Sequence, residues 1–139
     1  MIAGIGVDLC RLSRIGKALK SEHFRDSVFS LEEIAYCETR GRGRLDSYAA
    51  CFAAREAFVK ASGASFGAVM LGRNFERIRN DDGAPSIRLY GELSEYAKHA
   101  NIHVSLTHEG DYACAMVVIE NINDINDEVI IDGNKDSGF

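Results

Sequence analysis

Four side chains in three short segments could act together on a phosphate. Asp8 lies in Ile5-Gly6-Val7-Asp8-Leu9. Glu56 and Lys60 lie in Phe52-Ala53-Ala54-Arg55-Glu56-Ala57-Phe58-Val59-Lys60-Ala61. His108 ends Val104-Ser105-Leu106-Thr107-His108. Two carboxylates from different elements suit a hard divalent cation such as Mg2+, which prefers oxygen donors and keeps several waters. The remaining positions would go to phosphate oxygens, and a lysine adds a point charge to the same oxygens. An imidazole can bind a phosphate or orient a reacting group. Metal, cation and carboxylate are together the parts of phosphoryl transfer. Each residue also has a plainer reading. Glu56 and Lys60 are four apart and share a helix face, where such a pair is an ordinary contact worth about 0.2–0.5 kcal/mol. Asp8 can cap a turn or helix, and His108 can be a satisfied histidine near a hairpin.

The elements that must position these groups are legible in outline. Ile2 to Asp8 reads as a buried strand carrying Ile2, Ile5 and Val7, with Gly4 and Gly6 allowing another backbone to come close. Ser13 is the expected N-cap of a short helix running towards Lys20. Ser30-Leu31-Glu32-Glu33 is a capping box that starts a helix through about Cys37. Arg40 to Arg44 reads as a turn or loop. The strongest helix runs from about Leu45 to Ser62, rich in alanine, with Gly63 as its stop. Phe52 with Val59 and Cys51 with Phe58, each seven apart, give it an apolar stripe. Ser65 to Leu71 is ambiguous. Phe75 to Arg79 and Ile87 to Leu89 read as strands joined by Asp81-Asp82-Gly83-Ala84-Pro85. Leu93 to Ala100 reads as a helix. His103 to His108 and Tyr112 to Glu120 read as a hairpin turned at Glu109-Gly110-Asp111. Helices and mostly antiparallel strands in separate runs make the fold α+β, with helices packed on the sheet. One domain is expected over 1–122, followed by an acidic tail over 123–139, with Asn126 to Phe139 partly disordered.

Composition bounds the function classes. With 139 residues, 46% of them apolar and 27% charged, the chain is sized and balanced for one globular domain. No run approaches the length needed to span a bilayer, and no segment reads as a signal peptide. The four cysteines, Cys10, Cys37, Cys51 and Cys114, form no CxxC pair and read as reduced thiols filling small apolar sites. A cytoplasmic location follows as the expectation. The net charge of −5 argues against nucleic acid as a partner. The stretch from Arg11 to Arg25 is nonetheless basic, with Glu22 its only acid. Arg14, Lys17, Lys20 and Arg25 can therefore face an acidic partner, or be a solvated helix face.

The ordered set of motifs resembles the holo-acyl-carrier-protein synthases, the short-chain family of 4′-phosphopantetheinyl transferases. The carriers of the resemblance are Gly6-Val7-Asp8 followed by Arg14, the helix motif Phe52 to Ala61, and Ser105-Leu106-Thr107-His108 before a hairpin. Val28-Phe29-Ser30, Tyr36-Cys37 and the Gly83-Ala84-Pro85 turn also fit. The resemblance runs in order from Ile2 to about Glu120. It implies that Asp8, Glu56 and Lys60 are catalytic, with Asp8 and Glu56 holding Mg2+ on the pyrophosphate of coenzyme A. It implies that Lys60, Gly83, Pro85, Thr107 and His108 bind coenzyme A, His108 towards the 3′-phosphate. The substrate would be a serine of an acyl carrier protein, gripped by Arg14, Lys17, Lys20 and Arg25. The pathway, whether fatty-acid, polyketide or peptide synthesis, and the general base stay open. Larger members of the superfamily hold two such units; one unit here implies a homotrimer with active sites between copies. The chain departs from the family at Cys51, where arginine or tryptophan is usual, at Arg55 and Thr107, which replace lysine and serine, and after the helix at Gly63 to Gly67. These departures bear on the adenine and 3′-phosphate contacts. Three rivals stand beside the transferase. A phosphohydrolase would use the same residues on water. A binding module would hold carrier or coenzyme A without turnover. A structural protein would use Glu56 and Lys60 only as a salt bridge.

Overall fold

The computed structural model describes residues 1–122; the expected tail over 123–139 lies outside the described residues. The chain begins with strand β1 (Ile2–Arg11), then helices α1 (Leu12–Ala18), α2 (Glu22–Val28) and α3 (Leu31–Glu38). The long helix α4 (Arg44–Ser62) and the single turn α5 (Phe66–Val69) follow. Strands β2 (Phe75–Arg79) and β3 (Pro85–Leu89), helix α6 (Ser94–His99) and the hairpin β4 (Ala100–Glu109) and β5 (Tyr112–Asn121) complete it. β1, β5 and β4 form one antiparallel sheet in that order; β2 and β3 form a separate two-stranded ribbon. The α+β class is as the pattern of elements indicates. Among the described residues no helix is long and apolar enough to cross a membrane.

Helix α4 is the centre of the molecule rather than a one-sided surface helix. Every residue from Tyr48 to Phe58 is buried except Glu56. Its alanines allow the sheet to lie close, and Gly4 and Gly6 of β1 complete the approach. A Cβ on Gly4 would stand 1.8 Å from the Ala61 carbonyl oxygen, and one on Gly6 would stand 2.0 Å from that of Ala57. No side chain fits either place. Gly63 ends α4 in the left-handed conformation at φ 70°, where its N–H donates to the Val59 carbonyl.

β1 reverses one expectation. Its small residues and Asp8 face α4, whereas Ile2, Ile5, Val7 and Leu9 are 57%, 61%, 56% and 62% exposed. The close α4 backbone leaves no room for branched side chains on the inner face, so strand alternation sends them outward. Two other details differ. Helix α1 begins after Arg11 without a side-chain cap, which leaves Ser13 inside its first turn. Helix α2, capped by Ser21 through the Phe24 N–H, fills a stretch in which no helix was expected. The capping box of α3 forms as its sequence predicts, Ser30 and Glu33 satisfying each other's backbone N–H groups. Ser65 caps α5, which resolves the ambiguous stretch as one helical turn.

Candidate functional site

Asp8, Glu56 and Lys60 meet where β1 crosses α4. Asp8 sits on the inner face of the strand, 8% exposed, because Gly6 lets α4 lie directly over it. The Lys60 Nζ donates to the Val7 carbonyl at 2.9 Å and stands 3.4 Å from Asp8 Oδ1. Arg14, on α1, brings its Nη2 to 3.9 Å from Glu56 Oε1 and lays its guanidinium 5.6 Å from the centre of the Phe52 ring. The Glu56 carboxyl is pushed up to about 7, first by burial and then by the neighbouring Asp8, with Arg14 and Lys60 opposing the rise.

Two shielded carboxyl groups brought together from different elements are a fitting donor pair for a divalent cation. Among the described residues no third His, Cys, Asp or Glu joins them in a cluster. That suits a hard cation that draws its other ligands from water and substrate phosphate.

The raised Glu56 pKa carries a stability consequence in metal-free protein. In the unfolded chain the group titrates near 4.5, and in the folded chain at about 7. Its contribution is therefore fully present below pH 4.5 and is lost as pH rises through about 7. Urea unfolding in EDTA across that window should show stability falling more steeply for the wild-type chain than for Glu56→Gln.

The residues expected at the nucleotide end gather elsewhere. Gly83, Pro85, Thr107 and His108 line one open cavity of about 310 Å3 at the start of α4. His108 Nδ1 stands 3.4 Å from Asp46 Oδ1. Asp8 pairs with Ala115, and Ala115 with Leu106, which lines the cavity. The carboxylate pair and the cavity are thus separated by the width of β5, roughly 10 Å at ordinary strand spacing. Ser47 and Ala50 line the cavity and point away from the Glu56 side of α4, by roughly 180° and 120° at about 100° per residue. A single chain therefore carries the two halves on different flanks of α4.

Of the basic segment, Arg14, Lys17 and Lys20 are exposed, while Arg25 on α2 is bound to its neighbour Asp26 at 2.9 Å. Cys51 and Arg55 do not line the cavity. Cys51 is buried beside Cys37, which with burial holds its thiol well above the ordinary range. Arg55 is fully buried in a clamp joining α3, α4 and β2. The cavity also takes in Tyr36, Arg40, Arg77 and Arg79, none of which sequence reasoning named as a site residue. The available signal was two arginines at strand period on β2, the second of them next to the Asn80–Pro85 turn.

These features agree with what the chain resembles. The 4′-phosphopantetheinyl transferase superfamily matches it over residues 4–117, and the chain belongs to that superfamily. A holo-[acyl-carrier-protein] synthase of Nocardia farcinica is 37% identical, over 96% of this chain and 97% of that protein. The crystal structure of holo-[acyl-carrier-protein] synthase from Neisseria meningitidis superposes with a TM-score of 0.77 at 31% identity, covering 87% of this chain and all of that one. The Bacillus anthracis synthase in complex with CoA (3′,5′-ADP) superposes with a TM-score of 0.72 at 30% identity, covering 87% and 98%.

Proposed function

We propose that this chain transfers the 4′-phosphopantetheine group of coenzyme A to a serine of an apo acyl carrier protein, releasing adenosine 3′,5′-bisphosphate. The observation that carries the reading is the meeting of Asp8, Glu56 and Lys60 at the β1–α4 contact. Asp8 and Glu56 would hold Mg2+, which when bound supplies positive charge to the pyrophosphate. The serine oxygen attacks the β-phosphorus. A new P–O bond to serine forms, the P–O bond to the adenosine bisphosphate breaks, and the hydroxyl proton passes to Glu56 or to solvent. Lys60, held by the Val7 carbonyl and Asp8, takes up the negative charge that grows on the leaving oxygen. The test is the intact mass of an apo carrier protein incubated with this protein, coenzyme A and Mg2+. A gain of one phosphopantetheine that disappears with EDTA supports the reading; no gain across several carriers overturns it.

Exposed Arg14, Lys17 and Lys20 form the carrier-docking face, with Arg25 a weaker member because Asp26 already neutralises it. Lys17→Glu, on the exposed docking face, should raise the KM for carrier protein with little change in that for coenzyme A, and should weaken the salt dependence of the on-rate. Equal damage to both substrates would remove the docking role.

The assembly is a homotrimer that joins one copy's carboxylate pair to another copy's nucleotide cavity. Ile5, Val7 and Leu9 of β1, with Met116 of β5, support this. They form an exposed apolar row on the outer face of the sheet, beyond what isolated surface side chains require. Ile5→Glu should give monomers in light scattering and lose transfer in step, while the monomer's own unfolding shifts by no more than about 0.5 kcal/mol. A trimer that survives this change, or an active monomer, argues against shared sites. The free cysteines, Cys10, Cys37 and Cys51 buried and Cys114 half-buried, support a reducing, cytoplasmic location.

A further inference from the structure

The cavity beside His108 holds more positive charge than transfer by Asp8, Glu56 and Lys60 uses. The guanidinium carbons of Arg40, Arg77 and Arg79 lie 5.3, 5.1 and 4.9 Å from the centre of one ring, that of Tyr36. Arginines held on an aromatic face keep their N–H edges available to an anion. Arg77 is 8% exposed, and among the described residues its buried Nε has no hydrogen-bond partner. Its backbone N–H donates to Glu33 Oε2 at 3.1 Å, and among the described residues its guanidinium meets no hydrogen-bond acceptor. Arg79 donates to the Gly83 carbonyl at 3.4 Å. Among the described residues none of the three forms an ion pair. Asp46, the acidic side chain lining the cavity, already faces His108. A guanidinium whose buried Nε meets no acceptor, with two more guanidinium groups around the same ring, favours entry of an anion.

We infer that Arg77, supported by Arg79 and Arg40 around Tyr36, is the specificity-determining contact for the phosphomonoester on the nucleotide half of coenzyme A, the group absent from dephospho-coenzyme A. The inference deepens the transfer reading and rests on it for the identity of the nucleotide. Within the cavity, Thr107, Ser47 and the Gly83–Pro85 turn leave room beside the arginines for a sugar and base.

Calorimetry of the whole protein with 3′,5′-ADP and with 5′-AMP, without carrier protein, tests it. The wild-type chain should prefer the bisphosphate by roughly ten- to a hundred-fold, the worth of one to two charge-assisted hydrogen bonds. Arg77→Gln should remove most of that preference by weakening 3′,5′-ADP alone, and Arg77→Lys should retain part of it. Arg79→Gln and Arg40→Gln, at exposed side chains, carry the same test should Arg77→Gln not fold. A wild-type chain indifferent to the second phosphate, or a preference untouched in all of these variants, overturns the inference. Absent carrier modification alongside an intact, Arg77-dependent preference overturns the transfer reading instead.

Discussion

Asp8→Ala and Glu56→Ala should each reduce carrier modification by at least about a thousand-fold, at the upper end of what losing one preorganised electrostatic contact costs. On the proposed mechanism neither carboxylate can be spared, because each comes from a different element and the described residues offer no third acid in the cluster. Asp8→Asn and Glu56→Gln should be nearly as inactive, since they keep the shape and lose the charge. The fold should survive all four changes. Glu56 is the one residue between Tyr48 and Phe58 that is not buried, and its removal relieves a contact that opposes ionisation. Turnover measured across an Mg2+ titration, with thermal unfolding of the same samples, separates the two effects. Lys60→Ala should lose roughly a hundred- to a thousand-fold yet keep its metal dependence, because on the proposed mechanism it acts on charge and not as a ligand. Normal transfer by either alanine variant at Asp8 or Glu56 would remove these residues from the chemistry.

Arg55→Met should destabilise the folded chain by about 3–5 kcal/mol, the cost of leaving one charge of a buried pair alone. Both side chains of the Arg55–Glu33 pair are completely buried. Arg55 binds the Glu33 carboxylate with both terminal nitrogens and also donates to the carbonyls of Cys51 and Phe75, at 3.2 and 2.8 Å. The rings of Phe29 and Phe75 flank it at 5.4 and 4.9 Å. Glu33 in turn accepts the backbone N–H groups of Ser30 and Arg77. One ion pair thus ties the start of α3, the middle of α4 and strand β2, the strand that carries Arg77. Arg55→Lys keeps the charge but loses the two-pronged geometry, so it should cost less than the methionine. Urea unfolding of both variants measures the difference. A methionine variant as stable as the wild-type chain would show that the clamp is not what fixes β2 against α4.

The sequence was most informative where chemistry and local geometry coincide. Ser30 and Glu33 announce a helix start because three-residue spacing is what lets a side chain and a backbone N–H satisfy each other. Alanine content and Gly63 announced α4 and its end. The order of Gly6-Val7-Asp8, the α4 motif and Thr107-His108 pointed to the superfamily and to candidate residues. Arg55 shows the opposite case. Its place in the helix motif suggested a bearing on the nucleotide, but a helix has several faces, and this one turns Arg55 inward onto Glu33, 22 residues earlier in the chain.

By itself, then, the sequence determined which groups are available for phosphate chemistry and which elements carry them, because capping, helix propensity and strand alternation act over a few residues. Tertiary structure alone decided which face of β1 points inward, and it did so through the two glycines that bring the α4 backbone close enough to exclude larger side chains. That contact set Asp8 against Glu56, turned Ile5, Val7 and Leu9 to the outside, and separated the carboxylate pair from the His108 cavity by the width of a strand. It also gathered Arg40, Arg77 and Arg79 around Tyr36. No local pattern could have shown that cluster, since its members come from α3, the turn after it and a strand about 40 residues away, and meet only when β2 packs against α3.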